Sequence, residues 1–264
     1  MKTTNISQDF YARVYKETTY SNETSAELHP FYSTLKNFLR KHSLENSKCL
    51  EIGSGRGAFQ EVVDDYTGVD YSESVARYYN KPFFRSQAEA LPFPDSSFDA
   101  AWSYAVLEHV NDPGKALDEI RRVLKPTGLL LLEPAWQCRP WAAEGYPVRP
   151  YSDFTLEGKF IKASIPVRNS LAFRLLHVIP SRSLGLLRYL LRGKRDIPLR
   201  YRRLKANFEH FWMSDSDAQC CIDPYDALLF FQSRGDECLN YPTAVRKFII
   251  RTGPLVIRVR KAAP

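Results

Sequence analysis

Between residues 48 and 134 the chain alternates short apolar runs with amphipathic stretches, and this alternation restricts the possible folds more than any other feature. Four runs predict β-strands, at residues 49–52, 67–70, 98–103 and 128–132. Between the last two runs, residues 115–124 place their apolar side chains on one helical face. Strands that alternate with helices in this way predict a parallel sheet with helices packed on it.

The segments on either side add helices and closing strands. Residues 28–39 follow a helical period and predict an amphipathic helix before the first strand. Residues 223–233 predict another helix, with proline in its first turn and Gly235 at its end. Residues 236–241 and 255–261 predict two strands that complete the sheet.

These signals divide the chain into four parts: an N-terminal helical cap, a core, a substrate-side insert or cap, and a C-terminal helix with the closing strands of the core. Their bounds are 1–47, 48–134, 135–222 and 223–264. The chain has 264 residues, of which 44% are hydrophobic, and this suffices for one large α/β domain that carries an insert.

Cysteine usage and hydropathy exclude several classes of protein. The five cysteines are odd in number and form no Cys-x-x-Cys pair, so we predict neither a disulfide framework nor a zinc site. No His, Cys, Asp or Glu cluster has metal-ligand spacing, so we expect no metal. The N-terminus lacks the apolar stretch of a secretory signal, and no apolar run is long enough to span a membrane. These features favour the cytoplasm.

Positive charge is concentrated in one segment of the insert. Residues 159–205 hold thirteen Lys and Arg and one Asp, a local charge of +12 in a chain whose net charge is +7. Within it, residues 170–192 intersperse leucines with arginines, and we expect Pro180 to divide them into two helices. This pattern is typical of a membrane-surface element, and equally of a cap helix whose arginines reach water.

Under either interpretation, residues 195–205 form an exposed basic stretch that suits anionic headgroups or an acidic substrate. If it meets lipid, the contact would be peripheral, at the inner face of the membrane. The rest of the chain is mildly acidic, and the aromatic residues of this region form no stacking module. Nucleic acid is therefore not a favoured partner.

A glycine-rich loop and an acid form the first functional motif. Residues 50–57, Leu-Glu-Ile-Gly-Ser-Gly-Arg-Gly, follow the first strand and are expected to open a helix, and their glycines let a ligand approach the backbone. Asp70 ends the next strand, where its carboxylate can accept hydrogen bonds from both hydroxyls of a ribose, or instead cap a helix beginning near Ser72. The G-x-G-x-G spacing differs from the G-x-G-x-x-G of dinucleotide-binding proteins.

Two further motifs extend the pattern. Residues 87–95 read Gln-Ala-Glu-Ala-Leu-Pro-Phe-Pro-Asp, and residues 103–110 read Ser-Tyr-Ala-Val-Leu-Glu-His-Val. With the glycine-rich loop, and in this order, they closely resemble class I S-adenosylmethionine-dependent methyltransferases of the type 11 group. The resemblance covers about residues 48–134. It implies a Rossmann-like α/β fold with a mostly parallel seven-stranded sheet, helices on both faces, and here a helical, basic insert before the last strands.

The resemblance also implies roles for individual residues toward S-adenosylmethionine. The methionine and ribose portion would be lined by Glu51, Gly53, Ser54, Gly55 and Gly57. Asp70 would hold the ribose, and Tyr71 would lie beside the adenine. Gln87 stands where the family often has an Asp that contacts the adenine amino group, and Ala88 would offer its backbone N–H. Ser103 and Tyr104 would border the methionine end, near the reacting methyl group.

The catalytic base is not assigned by the sequence. His109, Glu133 and His210 are the candidates, and each has a structural alternative. His109 lies in a segment that recurs in the family regardless of substrate. Glu133 ends an apolar strand at the edge where α/β proteins bind ligands, but it can instead satisfy loop amides. His210 lies in an aromatic cluster that favours packing.

The function predicted from these motifs is methyl transfer to a small-molecule or glycan-type acceptor, anionic or lipid-linked. The alternative is a methyltransferase-like protein of weak activity that serves as a membrane-surface or partner-binding module. Intact glycines at 53, 55 and 57, together with Asp70, favour the enzyme.

Overall fold

The computed structural model describes residues 2–16, 26–192 and 196–261. Its strands are β1 (Cys49–Ile52), β2 (Tyr66–Asp70), β3 (Phe83–Arg85), β4 (Phe98–Tyr104), β5 (Leu124–Glu133), β6 (Tyr201–Arg203), β7 (Cys220–Ile222), β8 (Glu237–Cys238) and β9 (Leu255–Arg258). Its α-helices are α1 (Lys2–Lys16), α2 (Tyr32–Lys41), α3 (Pro113–Val123), α4 (Leu156–Asn169), α5 (Leu171–Leu191), α6 (Pro224–Ser233) and α7 (Ala244–Ile249).

Seven strands form the central sheet in the order β3-β2-β1-β4-β5-β9-β8. The five strands from β3 to β5 run parallel, whereas β9 runs antiparallel to both β5 and β8. The chain reverses its direction of travel across the sheet between β1 and β4, and the carboxyl ends of such strands border the usual ligand crevice. The predicted Rossmann-like, mostly parallel sheet is confirmed.

Both faces of the sheet are buried, as the apolar runs indicate. Leu129 and Leu131 of β5 pack with α2 on one face, while Leu130 and Leu132 pack with α3 and α6 on the other. Alternate side chains of a strand point to opposite faces, so a run of four leucines fits a strand covered on both sides. Burial of each such side chain contributes about 1.5–3 kcal/mol to folding.

Two helices of the core start at aspartates. The Asp112 side chain accepts the N–H of Lys115 at 3.1 Å and caps α3, and Pro113 follows as its first residue. Asp223 caps α6 in the same way, and Gly235, with φ +83°, ends it as predicted. These caps fix where the chain enters and leaves the two helices that cover one face of the sheet.

Three local features of the first 85 residues differ from the sequence-based expectations. The glycine-rich loop opens no helix, because Gly53, Gly55 and Gly57 all adopt positive φ, and turns connect β1 to β2. The helix expected over 28–39 begins only at Tyr32, since Pro30 disfavours helical geometry at the residue before it. Edge strand β3 was not predicted, because two of its three side chains are exposed and it lacks the pattern of a buried run.

The insert also departs from its prediction. Pro180 does not divide residues 170–192: α5 is continuous, and the helices α4 and α5 are separated at Ser170, which caps α5. Pro180 and Leu176 are both exposed, so water can satisfy the carbonyl that the proline leaves without a donor. Beyond α5, β6 and β7 form a two-stranded antiparallel sheet that the sequence pattern does not indicate.

The C-terminal strands exist but are shorter than predicted. The sequence indicates strands over 236–241 and 255–261, whereas β8 and β9 span two and four residues, with the unpredicted α7 between them. Among the described helices, none combines the length and the apolar character needed to cross a bilayer.

Candidate functional site

A cavity of about 610 Å³ lies at the carboxyl ends of β1 and β2. Its wall includes Ile52 and Gly53 after β1, Val69 and Asp70 of β2, and the segment that follows β4. The N-terminal helix α1 closes one side of it. The volume lies within the range of small-molecule and cofactor sites, so the cavity is large enough for a nucleoside-sized ligand.

Gly53 brings the backbone of the glycine-rich loop close to the segment after β4. It adopts φ +71°, and a Cβ there would lie 2.0 Å from Cγ2 of Val106. Both residues line the cavity. A side chain at position 53 would therefore displace Val106 and occupy space at the cavity wall, so only glycine permits this shape.

The Asp70 carboxylate is buried in the cavity wall and held from two sides. Its Oδ2 accepts the N–H of Gly55 at 2.9 Å, and its Oδ1 accepts the N–H of Ser72 at 2.9 Å. Burial raises the pKa of Asp70, and these two hydrogen bonds oppose that rise. The Tyr15 hydroxyl of α1 also donates to Oδ2, at 3.5 Å, so acceptor capacity for a ligand hydroxyl remains chiefly at Oδ1.

Three more of the predicted cofactor residues line the cavity. Tyr71 continues the chain beyond Asp70, and Gln87 with Ala88 follows β3 in a short turn that the N–H of Ala90 closes on the Gln87 carbonyl at 3.0 Å. The structure therefore brings Gly53, Asp70, Tyr71, Gln87 and Ala88 together around one space, although three separate strands deliver them.

Six predicted residues do not line this cavity in the part of the chain that the structure describes. They are Glu51, Ser54, Gly55, Gly57, Ser103 and Tyr104. Glu51 is buried beneath the loop, where the Tyr66 hydroxyl donates to it, and burial raises its pKa to about 8. Tyr104 stacks on Phe31 with ring centroids 4.7 Å apart, on the face of the sheet that α2 covers.

Two buried hydroxyls beside the loop lack hydrogen-bond partners. Ser54 and Ser103 are both almost fully buried, and the Oγ of each makes no hydrogen bond to a described residue. Buried polar groups without partners are rare, and at a functional site they commonly mark places where a ligand completes the hydrogen bonding. Neither serine lines the cavity, so the observation that fits a cofactor held against the glycine-rich loop is the space that a Cβ at position 53 would fill.

His109 lies in the same cavity wall, between acidic residues. Its Nδ1 is 3.1 Å from Oδ2 of Asp217, and its Nε2 is 3.8 Å from Oε1 of Glu108. The Tyr11 hydroxyl of α1 donates to the same Asp217 oxygen at 2.8 Å. Burial opposes protonation, but Asp217 and then Glu108 outweigh it and raise the pKa of His109 to about 9.

The other two candidate bases do not reach this cavity. Glu133 ends β5, where its carboxyl group is half-buried and burial raises its pKa. His210 is exposed and stacks on Trp212 with ring centroids 5.4 Å apart. Of the three, His109 alone is positioned among the cavity-lining residues that the structure describes.

Comparison with known proteins places this site in a family. The family described as "Methyltransferase domain" matches residues 50–132, which include β1 to β4 and almost all of β5. Residues 50–132 form a class I S-adenosylmethionine-dependent methyltransferase domain. This assignment agrees with the residues on which the sequence resemblance depends.

The first curated relatives match between about a third and about half of the chain. Identity is 41% over 83 residues to the ubiquinone/menaquinone biosynthesis C-methyltransferase UbiE of Hahella chejuensis, covering 31% of this chain and 33% of the relative. It is 35% over 99 residues to the uncharacterized methyltransferase YcgJ of Bacillus subtilis, covering 32% and 39%. The chain thus spans between a third and three fifths of the length of the first curated relatives it matches.

Among solved structures, a possible histamine N-methyltransferase from Thermotoga maritima is 28% identical to this chain. The match covers 49% of this chain and 62% of that one, with a TM-score of 0.39.

Sequence reasoning missed several residues that line the site of the methyltransferase domain. Ser7, Tyr11 and Tyr15 project from α1 into the cavity wall, and Gln219 reaches it from the insert. The first three recur every fourth residue, which is the signature of one helical face and could have indicated a shared role. Gln219 and Asp217 carried no such signal, because their surroundings lack periodicity.

One prediction about metal needs correction. The structure places ligand atoms of Glu108, His109 and Asp215 within 4.8 Å of one another, although no such cluster was expected. Distant segments meet here, so sequence spacing could not reveal the group. Within this group His109 is paired with Glu108, whose Oε1 lies 3.8 Å from its Nε2. We retain the expectation that methyl transfer needs no metal, because a sulfonium is already an activated donor.

The raised pKa of His109 predicts a pH-dependent contribution to stability. We expect His109→Gln to lower the free energy of unfolding most below pH 6.5, the ordinary pKa of the imidazole, where the wild-type ion pair is fully present. The deficit should shrink as pH rises through about 9, because the folded protein then loses the same proton. Urea unfolding of both proteins at pH 6 and pH 10 measures it, and an equal deficit at both values would contradict the assignment.

Proposed function

We propose that the chain transfers a methyl group from S-adenosylmethionine to an acceptor bound in the same cavity. The observation that carries this proposal is the buried Asp70 carboxylate, which lines a cavity of about 610 Å³ beside Gly53 at the carboxyl ends of β1 and β2. The cofactor, when bound, supplies a methyl group on a positively charged sulfur. The protein then has to align donor and acceptor and exclude water.

Each of these cavity residues is proposed to contact a different part of the cofactor. Asp70 accepts hydrogen bonds from ribose hydroxyls, while the loop at Gly53 lets the ligand lie against the backbone. The turn at Gln87 and Ala88 supplies an amide side chain and a backbone N–H for the base, and Tyr71 supplies an aromatic face. These assignments follow the resemblance and are supported by the shared cavity wall.

His109 is proposed to take the proton that an oxygen or nitrogen acceptor releases on methylation. Its raised pKa means that at neutral pH it is mostly protonated, and it accepts a proton only after losing its own. Asp217 holds the imidazole in place and stabilises its charged form. Transfer that depends on His109 should therefore speed up as pH rises toward about 9.

A lipophilic or lipid-linked acceptor fits the outer surface of the insert. Relatives named as a quinone C-methyltransferase and as a sterol 4-C-methyltransferase act on lipid-soluble classes of compound. Here α4 and α5 expose large apolar side chains, among them Leu156, Phe160 and Leu176, each more than 70% exposed. The same helices carry six Lys and Arg residues against one acid, Glu157, and this excess of positive charge suits an anionic acceptor or an anionic bilayer at the cytoplasmic face.

Transfer of a labelled methyl group tests the function. The purified chain is incubated with S-adenosylmethionine labelled in the methyl group and with separate lipid and aqueous extracts of cells. We expect label in the lipid or anionic-metabolite fraction, and none without enzyme. Binding of the cofactor without label in any fraction would support the alternative, a weakly active module that binds membranes or a partner.

The membrane contact makes a separate prediction, for which α5 offers exposed cations. Arg188 and Arg192 are exposed and have no ion pair within 4 Å to a described residue. Each basic residue near an anionic bilayer contributes about 1 kcal/mol, so Arg188→Ser/Arg192→Ser should weaken binding to anionic vesicles by roughly thirtyfold at low salt. Co-sedimentation measures this affinity.

The matched control for this prediction is Arg40→Ser/Lys41→Ser, which removes two exposed cations from α2. This variant should bind vesicles as the wild type does. Equal losses of vesicle affinity in both double variants would show that the contact depends on net charge alone. The proposed contact would be contradicted if the wild type bound neutral vesicles as strongly as anionic ones. Arg195, also part of the predicted basic stretch, lies outside the described residues.

A further inference from the structure

A second cavity, of about 670 Å³, is lined by residues of the insert and by Asp223 and Asp226 at the start of α6, and it has no role in the proposed reaction. The walls of the two cavities approach each other at β7: Gln219, just before this strand, lines the first cavity, and Cys221, within it, lines the second. Five arginines from separate segments of the chain converge on it, namely Arg139, Arg168, Arg174, Arg200 and Arg202. We call it the arginine cavity.

The two aspartates of the arginine cavity are already paired. Asp223 receives two hydrogen bonds from the buried guanidinium of Arg182, each at 3.0 Å, and Asp226 lies 3.7 Å from Arg200. They therefore offer little compensation to the other arginines. Among the described residues, no carboxylate lies within 4 Å of the guanidinium groups of Arg139, Arg168, Arg174 or Arg202.

Arg174 shows that the positive charges act on one another. Its only hydrogen bond to a described side chain goes to the neutral Oε1 of Gln137, at 3.3 Å. Burial, then repulsion from Arg251 and Arg139, lowers the pKa of Arg174. Cations gathered in a concave, partly desolvated space attract an anion, because its binding relieves this repulsion as well as forming new bonds.

We propose that the arginine cavity binds a phosphate ester, with a phosphomonoester or diphosphate group seated among Arg139, Arg174 and Arg202. Guanidinium groups match phosphate oxygens with paired, charge-assisted hydrogen bonds, and several such groups from different directions suit a multiply charged anion better than a single carboxylate. This proposal goes beyond methyl transfer and does not depend on it.

The position of α5 indicates how a lipid phosphate would fit. Phe173, Arg174 and His177 of this helix line the cavity, while Leu175 and Leu176 on its other side are exposed. A headgroup in the cavity would leave its acyl or isoprenoid chain free to lie along the apolar surface of α5. A soluble phosphate ester would use the same arginines without that surface, so the two sources share one chemistry.

Calorimetric titration with pyrophosphate tests the site in the intact chain. We expect saturable binding at low salt, weakened at least tenfold in Arg139→Gln/Arg174→Gln. The matched control, Arg188→Gln, removes an exposed arginine of the same helix that lies outside the cavity and should bind as the wild type does. Arg174→Lys, which keeps the charge but loses the paired geometry, should be intermediate and guards against misfolding of the double variant.

Vesicles identify the source of the phosphate. If vesicles of phosphatidic acid compete with pyrophosphate and vesicles of phosphatidylglycerol at equal charge do not, the ligand is a lipid. If pyrophosphate binds and neither kind of vesicle competes with it, the ligand is a soluble phosphate ester. Absence of saturable pyrophosphate binding, or equal affinity in the double variant and the wild type, overturns the proposal. Affinity for S-adenosylhomocysteine should be unchanged in the double variant, so failure of this site is distinguishable from failure of the proposed function.

Discussion

Replacing His109 with Gln is expected to lower the rate of methyl transfer to an oxygen or nitrogen acceptor by about 10²–10⁴-fold, the usual contribution of a positioned acid or base. His109 lies in the cavity wall, 3.1 Å from Asp217, and the neighbouring acids outweigh the effect of burial and raise its pKa to about 9. Glutamine keeps a polar side chain of similar reach but cannot exchange a proton at these pH values.

The pH profile separates a proton-transfer role from a structural one. The wild-type rate should rise with pH toward about 9 as His109 loses its proton. Asp217→Asn removes the main attraction that favours the imidazolium, so it should move this rise to lower pH. If Asp217→Asn lowers the rate equally at every pH without moving the midpoint, Asp217 only holds the fold together.

His210 provides a matched control for these measurements. It is exposed, stacks on Trp212 and does not line the cavity, so His210→Gln should leave both the rate and its pH profile unchanged. Affinity for S-adenosylhomocysteine, measured alongside, should change little in His109→Gln. A loss of cofactor binding as large as the loss of rate would show that His109 shapes the cavity and does not handle the proton.

Asp70→Ala is expected to weaken binding of S-adenosylmethionine and S-adenosylhomocysteine by roughly ten- to a hundredfold. Hydrogen bonds to a charged group contribute about 1.5–3 kcal/mol, and here the carboxylate is buried where water cannot replace it. The substitution also leaves the N–H groups of Gly55 and Ser72 without their acceptor, so the loop itself should loosen.

Two further variants show which property of Asp70 accounts for the loss of cofactor affinity. Asp70→Asn keeps one acceptor oxygen for the backbone and should retain more of the loop order than Asp70→Ala, while still losing the charge. Asp64→Ala changes an exposed acid just before β2 and should bind the cofactor as the wild type does. An unchanged Kd in Asp70→Ala would remove Asp70 from the ribose role and leave it as a support of the turn after β2.

The parts of the fold that sequence could predict are those in which one local signal determines the element. Strand β1 has the predicted bounds, and β2 differs by one residue, because each is a short buried run that ends at Gly53 or Asp70. Helix α6 was predictable from Asp223, Pro224 and Gly235, since the cap, the first turn and the end each have a residue preference. The glycine-rich loop was located, but the three positive φ angles that prevent a helix depend on the packing around it.

The acidic surroundings of His109 could not be predicted from the sequence, because they too depend on packing between distant segments. Tyr11 and Asp217 are 206 positions apart in the sequence and meet only because α1 and the insert close over the same end of the sheet. Neither segment has a periodicity that points to the other. The arginine cavity is a similar case, because its arginines come from two loops, two helices and a strand. The sequence showed that the insert is basic, but not that part of this charge lines a concave space.

The central claim is that the cavity beside Gly53 and Asp70 holds S-adenosylmethionine, and calorimetric titration of the intact chain with S-adenosylhomocysteine tests it most directly. The predicted result is saturable binding of one ligand per chain, weakened at least tenfold in Asp70→Ala and unchanged in Asp64→Ala. An absence of binding by the folded wild-type protein, or equal affinity in Asp70→Ala and the wild type, would contradict the claim.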